Sequence, residues 1–269
     1  MKVSGSIVLY NSSFDEIKYL LNTIDNCIIN KLYIIDNSEF DKISKFLNRK
    51  KIVYIHNSYN LGFGAAHNIA ITKSLENNFD FHFIINPDIT LSADIFKKML
   101  QYMTSHKDVG IMMPKVLNSD KSIQYLPKLL PSLFSIIMRK IKWPNLLYRN
   151  FIDKYELRFI KENQTYITPM ISGCFNLIRL DAIKLVGMYD ERFFMYLEDW
   201  DLSRRIYNYY KTIYYSDVSV IHGYNSEANR SIKLLISFLF SVFKYFNKWG
   251  WFFDYKRKKI NFEVLNQFN

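Results

Sequence analysis

The stretch FHFIINPDI, residues 81–89, sets the reading of this chain. Phe81 to Asn86 is a short apolar run bounded by polar residues, the form of a buried strand. It stops at Asn86-Pro87-Asp88, where a rigid Pro stands between an amide and a carboxylate. Upstream, SIVLY (6–10), KLYIID (31–36) and IVYIH (52–56) have the same form. Between them, Phe14–Ile24 and His67–Leu75 read as helices. Short strands alternating with helices imply βαβ units, hence an α/β fold with a mostly parallel central sheet flanked by helices. In such sheets ligands bind outside the carboxyl ends of the strands. The places to look are therefore Tyr10-Asn11, Asp36-Asn37, Asn57–Gly64 and Asn86-Pro87-Asp88.

Downstream the pattern changes twice. Residues 127–160 carry Pro127, Pro131 and Pro144 among basic and apolar residues, and read as an irregular insertion. The α/β pattern resumes near Ile167. From Lys233 to Trp249, Leu234/Leu235, Phe238/Leu239, Val242/Phe243 and Phe246 fall at helical spacing and make one apolar stripe. A basic run, Lys256-Arg257-Lys258-Lys259, follows. The expected organisation is a catalytic unit over 1–228, divided into halves 1–110 and 111–228, with an amphipathic basic and aromatic helical tail over 229–269.

The bulk properties are permissive. With 269 residues and 49% hydrophobic content, the chain can bury the core of one large α/β domain with an appendage. Lys and Arg total 36 against 25 Asp and Glu, a formal charge of +11. That excess fits a nucleic acid, a phosphorylated substrate or an acidic membrane surface, and does not choose among them. Cys27 and Cys174 form no CxxC pair, so reduced thiols and a cytosolic compartment are expected. The N-terminus lacks the zones of a signal peptide, and no run of roughly 18 uninterrupted apolar residues suggests a spanning helix.

Four features could carry chemistry. Asp88 at a strand end is well placed to hold Mg²⁺ or Mn²⁺ through oxygen, though Asn-Pro-Asp is equally good turn chemistry. Glu198-Asp199-Trp200-Asp201 crowds three carboxylates beside apolar residues. Burial there can raise a carboxyl pKa and make a general base, whereas a solvated helix start would explain the same acids. His222 follows a strand-like run and reads as a packed histidine or a ligand. Asn60 to Asn68 is a glycine loop opening a helix, whose amides can meet phosphate or sugar oxygens. It lacks the P-loop Lys and the third glycine of a dinucleotide fingerprint.

Together, IIDNS (34–38), NLGFGAAHN (60–68), INPDI (85–89), the run from Ile171 to Arg205 and VIHGYNSEANRS (220–231) resemble the inverting family 2 glycosyltransferases, in their rhamnosyltransferase-like branch. The resemblance covers roughly residues 3–250, and the terminal SFLFSVFKYFNKWGWFFD resembles the tails of bacterial O-antigen glycosyltransferases. It implies a GT-A fold and transfer from a nucleotide-diphosphate sugar, dTDP-rhamnose before UDP-hexoses, to a lipid-linked oligosaccharide in surface-polysaccharide synthesis. It implies that Asp36, Tyr10 and Asn11 contact the nucleotide, and that Asn60, Gly62, Asn68 and Asn86 belong to the donor site. It further implies Asp88 and His222 as metal ligands for Mg²⁺ or Mn²⁺, Asp199 as the catalytic base, and Glu198, Trp200 and Asp201 at the acceptor site. Asn86 stands where the family's metal motif has its first Asp, which leaves one fewer anionic ligand.

An amphipathic aromatic tail flanked by lysines could lie in a membrane interface, or could pack on the catalytic unit. The expected location is the cytoplasmic face of the cell membrane, with an oligomer compatible. Two other classes remain at this point. A nucleic-acid binder would explain the charge but not the carboxylate cluster, and no recognised binding motif is present. A catalytically silent scaffold would explain the fold but not the retained acids.

Overall fold

The computed structural model describes residues 1–223 and 232–268. The last eight residues of the segment VIHGYNSEANRS, and the expected 228/229 boundary, lie outside the described residues.

The chain opens with β1 (Val3–Leu9), α1 (Phe14–Asp25), β2 (Lys31–Asp36), β3 (Ile52–His56), α2 (Phe63–Glu76) and β4 (Phe81–Ile85). It continues through β5 (Ile89–Thr90), α3 (Asp94–Ser105), β6 (Val109–Leu117), α4 (Leu133–Ile141), α5 (Asn145–Tyr155) and β7 (Tyr166–Ile167). Then come β8 (Phe175–Arg179), α6 (Leu180–Val186), α7 (Glu198–Tyr207), β9 (Lys211–His222), α8 (Ile232–Trp249) and α9 (Tyr255–Asn266). The strands form one sheet in the order β3-β2-β1-β4-β8-β6-β9-β5, with β7 on β9.

The parallel arrangement holds through the first half, where β1 pairs with β2 and β4, and β2 with β3. The second half is mixed. β8 enters antiparallel between β4 and β6, while β6 and β9 run parallel. The seam between β4 and β8 brings the carboxyl end of β4 beside the start of β8, where the residues described below converge.

β1 begins three residues before the expected run, because its buried polar positions are satisfied in the core. Ser6 Oγ is hydrogen-bonded to His67 Nδ1 at 2.7 Å and to His82 Nε2 at 2.7 Å, and Ser4 Oγ to His82 Nδ1 at 2.8 Å. Burial lowers both imidazole pKa values, that of His82 to about 3, so the network is neutral. α2 begins four residues before the expected His67, because the N–H of Phe63 donates to the carbonyl of Phe194 at 2.9 Å and orients the entry from outside the helix.

The expected irregular insertion contains two helices. Ser132 caps α4 by accepting from the Ser135 N–H at 3.1 Å, and Glu156 behind α5 pairs with Lys128, Arg139 and Arg158. Pro131 and Pro144 misled the reading because they stand just before helices α4 and α5, where Pro is tolerated.

The tail is fastened to the catalytic unit. Ser241 and Val242 of α8 are buried with Tyr245 and Phe246, the three apolar ones in a cluster with Ile136, Phe193 and Leu197. Asp254 caps α9 and accepts from Arg204 at 2.8 Å inside the protein, and Asn261 exchanges two hydrogen bonds with the Leu130 backbone. The single apolar stripe of the sequence is divided between two sides. Phe238, Val242 and Phe246 turn inward, whereas Leu235, Leu239 and Phe243 are exposed. No helix among the described residues is long and apolar enough to cross a membrane.

Candidate active site

The strand-end turn after β4 and the end of β9 meet. β5 pairs Ile89 with His222, which places Asp88 Oδ2 3.3 Å from His222 Nε2. Asn86 Nδ2 approaches the same nitrogen at 3.4 Å. The other face of the ring is held by a residue that sequence patterns did not mark. His222 Nδ1 donates to Gln124 Oε1 at 3.1 Å, and Gln124 Nε2 returns a bond to the His222 carbonyl at 3.1 Å. Gln124 arrives there because Leu117 and Ile123 form a bridge that folds the chain back on β6. Only tertiary pairing carries that signal.

This donor set fits a divalent cation. With the proton on Nδ1, the Nε2 lone pair, the Asp88 carboxylate and the Asn86 side chain converge on one point, an arrangement that a cation between the nitrogen and the carboxylate would suit. An imidazole nitrogen and a carboxylate oxygen suit Mn²⁺ or Mg²⁺. Among the described residues no group of three or more His, Cys, Asp or Glu gathers. The protein would thus contribute few ligands and leave positions for phosphate oxygens and water.

The segment Ser172–Cys174 links this turn to α7. Asn86 N–H donates to the Cys174 carbonyl at 2.8 Å, and Gly173 N–H donates to Asp199 Oδ2 at 3.0 Å. The Cys174 thiol feels the charge of both Asp88 and Asp199, so the two carboxylates flank it. Burial pushes this thiol up to about 12, which leaves it protonated and unreactive. A Cβ at Gly173 would meet the Phe63 ring at 3.0 Å, so a larger residue there needs that ring to shift.

Asp199 stands in the first turn of α7, half-buried. Burial raises its carboxyl to about 6, against the opposing pull of the Gly173 and Trp200 N–H groups. The two residues before the helix, Tyr196 and Leu197, hold φ of 73° and 64°. Side chains resist that region, so the turn is held by its surroundings. Ser241 of α8 donates to the Met195 carbonyl at 2.8 Å, and the Phe194 carbonyl is bonded to Phe63.

The other acids of the cluster do not reach an acceptor surface, which corrects the expectation for both. Glu198 is buried, and its Oε2 has no hydrogen-bond partner. Burial, then the neighbouring Asp199, raises its pKa well above the ordinary value, which favours its protonated form. Asp201 is fully buried and accepts from Arg205 Nε at 2.9 Å and Trp249 Nε1 at 2.9 Å, with Lys248 Nζ at 2.7 Å. It anchors α8. A 3.6-residue turn sends adjacent acids to different sides. Trp200 is half-buried and meets Tyr245 edge-on.

On the donor side, the loop after β2 and the glycine loop are laced by amides. Asn37 Nδ2 donates to Asn60 Oδ1 at 3.3 Å and to the Gly62 carbonyl at 3.2 Å, while Asn60 Oδ1 also accepts from Gly62 N–H at 2.9 Å. Gly62 has φ 87°, and a Cβ there would lie 2.1 Å from the Phe194 carbonyl oxygen, so only glycine fits. Tyr10 and Asn11 are exposed, and Asn11 N–H donates to Ser38 Oγ at 2.8 Å. Two expected contacts are redirected. Asp36 is buried and accepts from Ser38 N–H at 2.9 Å and Tyr54 Oη at 2.8 Å, so it shapes the loop. Asn68 exchanges bonds with the Tyr189 backbone and donates to Glu191 Oε1 at 2.9 Å, so its amide ties α2 to the 189–191 segment rather than facing a ligand.

Comparison with known proteins identifies the family and the fold. The model of the family "Glycosyl transferase family 2" matches residues 7–187. Two curated relatives, both named N-acetylglucosaminyl-diphospho-decaprenol L-rhamnosyltransferase and from two strains of Mycobacterium tuberculosis, are 25% identical over 172 residues. Those matches cover 61% of this chain and 56% of the relatives, so the chain spans about half their length. Among solved structures, GalNAc-T7 with UDP, GalNAc and Mn²⁺ is similar with TM-score 0.62 at 12% identity, over 84% of this chain and 44% of that one. The mannosyltransferase PcManGT from Pyrobaculum calidifontis, in complex with GDP-Man and Mn²⁺, gives 0.57 at 14% identity, over 84% and 57%. S. aureus TarS 1–349 gives 0.57 at 15% identity, over 83% and 60%. The likeness to these structures shows the GT-A fold.

Proposed function

The chain belongs to glycosyl transferase family 2, and from that premise we propose an inverting glycosyltransferase with Asp199 as its base. The donor in this reading is a nucleotide-diphosphate sugar, dTDP-rhamnose before a UDP-hexose. The acceptor is a lipid-linked oligosaccharide of surface-polysaccharide synthesis, and the work is done at the cytoplasmic face of the membrane. The observation that carries the proposal is Asp199 itself, a carboxyl raised to about 6 and held by Gly173 N–H on the segment that also bonds Asn86.

The donor diphosphate lies by the carboxyl ends of β1, β2 and β4, with Tyr10, Asn11, Asn60 and Asn86 around it. Asp88 and His222 are the side chains that would hold Mn²⁺ or Mg²⁺, which when bound neutralises charge on a leaving diphosphate. Asp199 removes the proton from an acceptor hydroxyl as that oxygen bonds to the anomeric carbon. The bond from that carbon to the diphosphate oxygen breaks with its electron pair, and the configuration inverts. The raised carboxyl pKa makes Asp199 a better proton acceptor near neutrality, and such assistance typically contributes ~10²–10⁴-fold. Support for the rhamnosyl and lipid-linked assignments comes from the names of the curated relatives, and the excess of +11 favours anionic ligands.

The test is a donor panel against the purified chain with Mn²⁺, read by nucleotide diphosphate release and by the anomeric configuration of the product. Release from dTDP-rhamnose with inversion is expected. Retention of configuration would overturn the single displacement, and turnover confined to another donor would overturn the rhamnosyl assignment.

A further inference from the structure

The exposed side of α8 is one part of a larger surface. α4 lies beside it, since Ile136 packs in the cluster of Val242, Tyr245 and Phe246, and Lys140 Nζ sits 5.0 Å over the Phe238 ring. The outward residues of α4 are Phe134, Ile137 and Ile141, at spacings of three and four, and the turn into α5 adds Trp143, Leu146 and Leu147. Trp143 is 70% exposed and Leu146 72%. Across from them, Leu235, Ile236, Leu239, Phe240 and Phe243 form an exposed stripe on α8. Contiguous exposed apolar patches mark a partner.

Charge identifies the partner. Residues 128–150 contain Lys128, Arg139, Lys140, Lys142 and Arg149 and no Asp or Glu. Residues 232–253 contain Lys233, Lys244 and Lys248 and again no Asp or Glu. Lys140, Lys142, Arg149 and Lys233 are exposed, and none is paired with a carboxylate among the described residues. Large apolar and aromatic side chains bordered by unpaired cations match an anionic lipid surface, which takes the side chains into its acyl boundary and the cations at its headgroups. A second protein copy would bring the same cations against themselves.

We propose that the α4–α5 hairpin and α8 form one composite face that docks on an anionic lipid bilayer, with the Trp143 turn inserted in the interface. The face is joined to the catalytic turn, because α8 bonds Met195 through Ser241 and Asp190 through Lys248 at 2.7 Å. Docking therefore places the base beside the membrane, where a lipid-linked acceptor presents its sugar. The inference rests on the lipid-linked acceptor proposed above.

The test uses the full chain and vesicles of phosphatidylcholine alone or mixed with phosphatidylglycerol. Wild-type protein should sediment with the mixed vesicles and dissociate as salt is raised. The pairs Trp143→Ser/Leu146→Ser and Leu239→Ser/Phe240→Ser should each weaken that binding about tenfold or more, since each removes two large apolar side chains from the interface. Both should keep wild-type nucleotide diphosphate release with a soluble acceptor analogue. Brominated lipids should quench wild-type fluorescence, and Trp143→Phe should lose that quenching while still binding. Hairpin variants that bind vesicles like the wild type would overturn the composite face. So would a lipid-free dimer in sedimentation velocity that the hairpin substitutions dissolve. A protein that binds vesicles but transfers only to lipid-free acceptors would sink the acceptor assignment and leave the docking face standing. Transfer to a lipid-linked acceptor in detergent without vesicle binding would do the reverse.

Discussion

The turn after β4 and the first turn of α7 hold their acids in opposite ways, although both bond to the same three-residue segment, Ser172–Cys174. Asp88 is 38% exposed at its side chain and faces an imidazole. The acids of α7 are withdrawn into the protein and sorted by direction. Asp199 meets two N–H groups, Glu198 is buried with its pKa pushed up, and Asp201 is neutralised by Arg205 and Lys248. The difference teaches that three clustered carboxylates need not be three ligands. One position suits a cation and one suits a proton, because water reaches the first more freely than the second.

The sharpest way to break this comparison is Asp199→Asn. Turnover should fall by ~10²–10⁴-fold with donor binding nearly intact. In the wild type, kcat/KM should rise with pH through about 6 as the base loses its proton, and the variant should lose that limb. The stability sign is opposite. A carboxyl raised from 3.8 to about 6 binds a proton more tightly when folded, so native stability falls as pH rises across that window. The variant should melt higher than wild type at pH 7 and no higher at pH values below the window. Wild-type turnover by the variant would remove Asp199 from the base role.

Next in size is Asp201→Ala. It leaves Lys248 and Arg205 without their buried carboxylate, a loss of about 3–5 kcal/mol for broken buried pairs, read as a lower melting temperature. Deleting residues 232–269 should go further and abolish activity, because α8 holds the turn before Asp199. An active, stably folded truncation would show that the tail is a mere appendage.

At the other site, Gln124→Leu should weaken Mn²⁺ binding by about 10–100-fold, as expected when the orienting partner of a ligating imidazole is removed. Titration calorimetry or Mn²⁺ electron paramagnetic resonance measures it without turnover. His222→Ala should lose at least as much. Unchanged affinity in both would separate the β9 histidine from the metal. The smallest effect belongs to Glu198→Gln, an amide of the same shape in place of a buried carboxyl whose pKa is pushed up. Activity at pH 7 should stay within a few-fold and the acid limb should stay near 6, because burial of Asp199 itself, against its backbone N–H partners, sets that limb. A loss as large as that of Asp199→Asn would mean that Glu198 also handles the proton.

Much of this was legible in the chain. The carboxyl ends of β2, β3 and β4, at Asp36, His56 and Ile85, do lie at one edge of the sheet, because those strands are parallel to β1. Asp88, the acids of 198–201 and His222 stood out by residue type, and the resemblance to family 2 glycosyltransferases assigned Asp199 and the pair Asp88 and His222 their roles. What misled was direction. Asp201, Glu198, Asn68 and Asp36 carry the right chemistry for ligands, yet partners from distant segments claim their polar atoms or burial takes them from the surface. Gln124 was invisible because nothing local distinguishes it from any other loop glutamine.

Alternating strands and helices, the glycine at position 62 and the order of the acid segments were determined by the sequence, since period, backbone freedom and charge are properties of residues. The tertiary structure alone decided which acid stays charged and which face of the aromatic helix is covered. Both depend on burial, and burial is set by segments far apart in the chain.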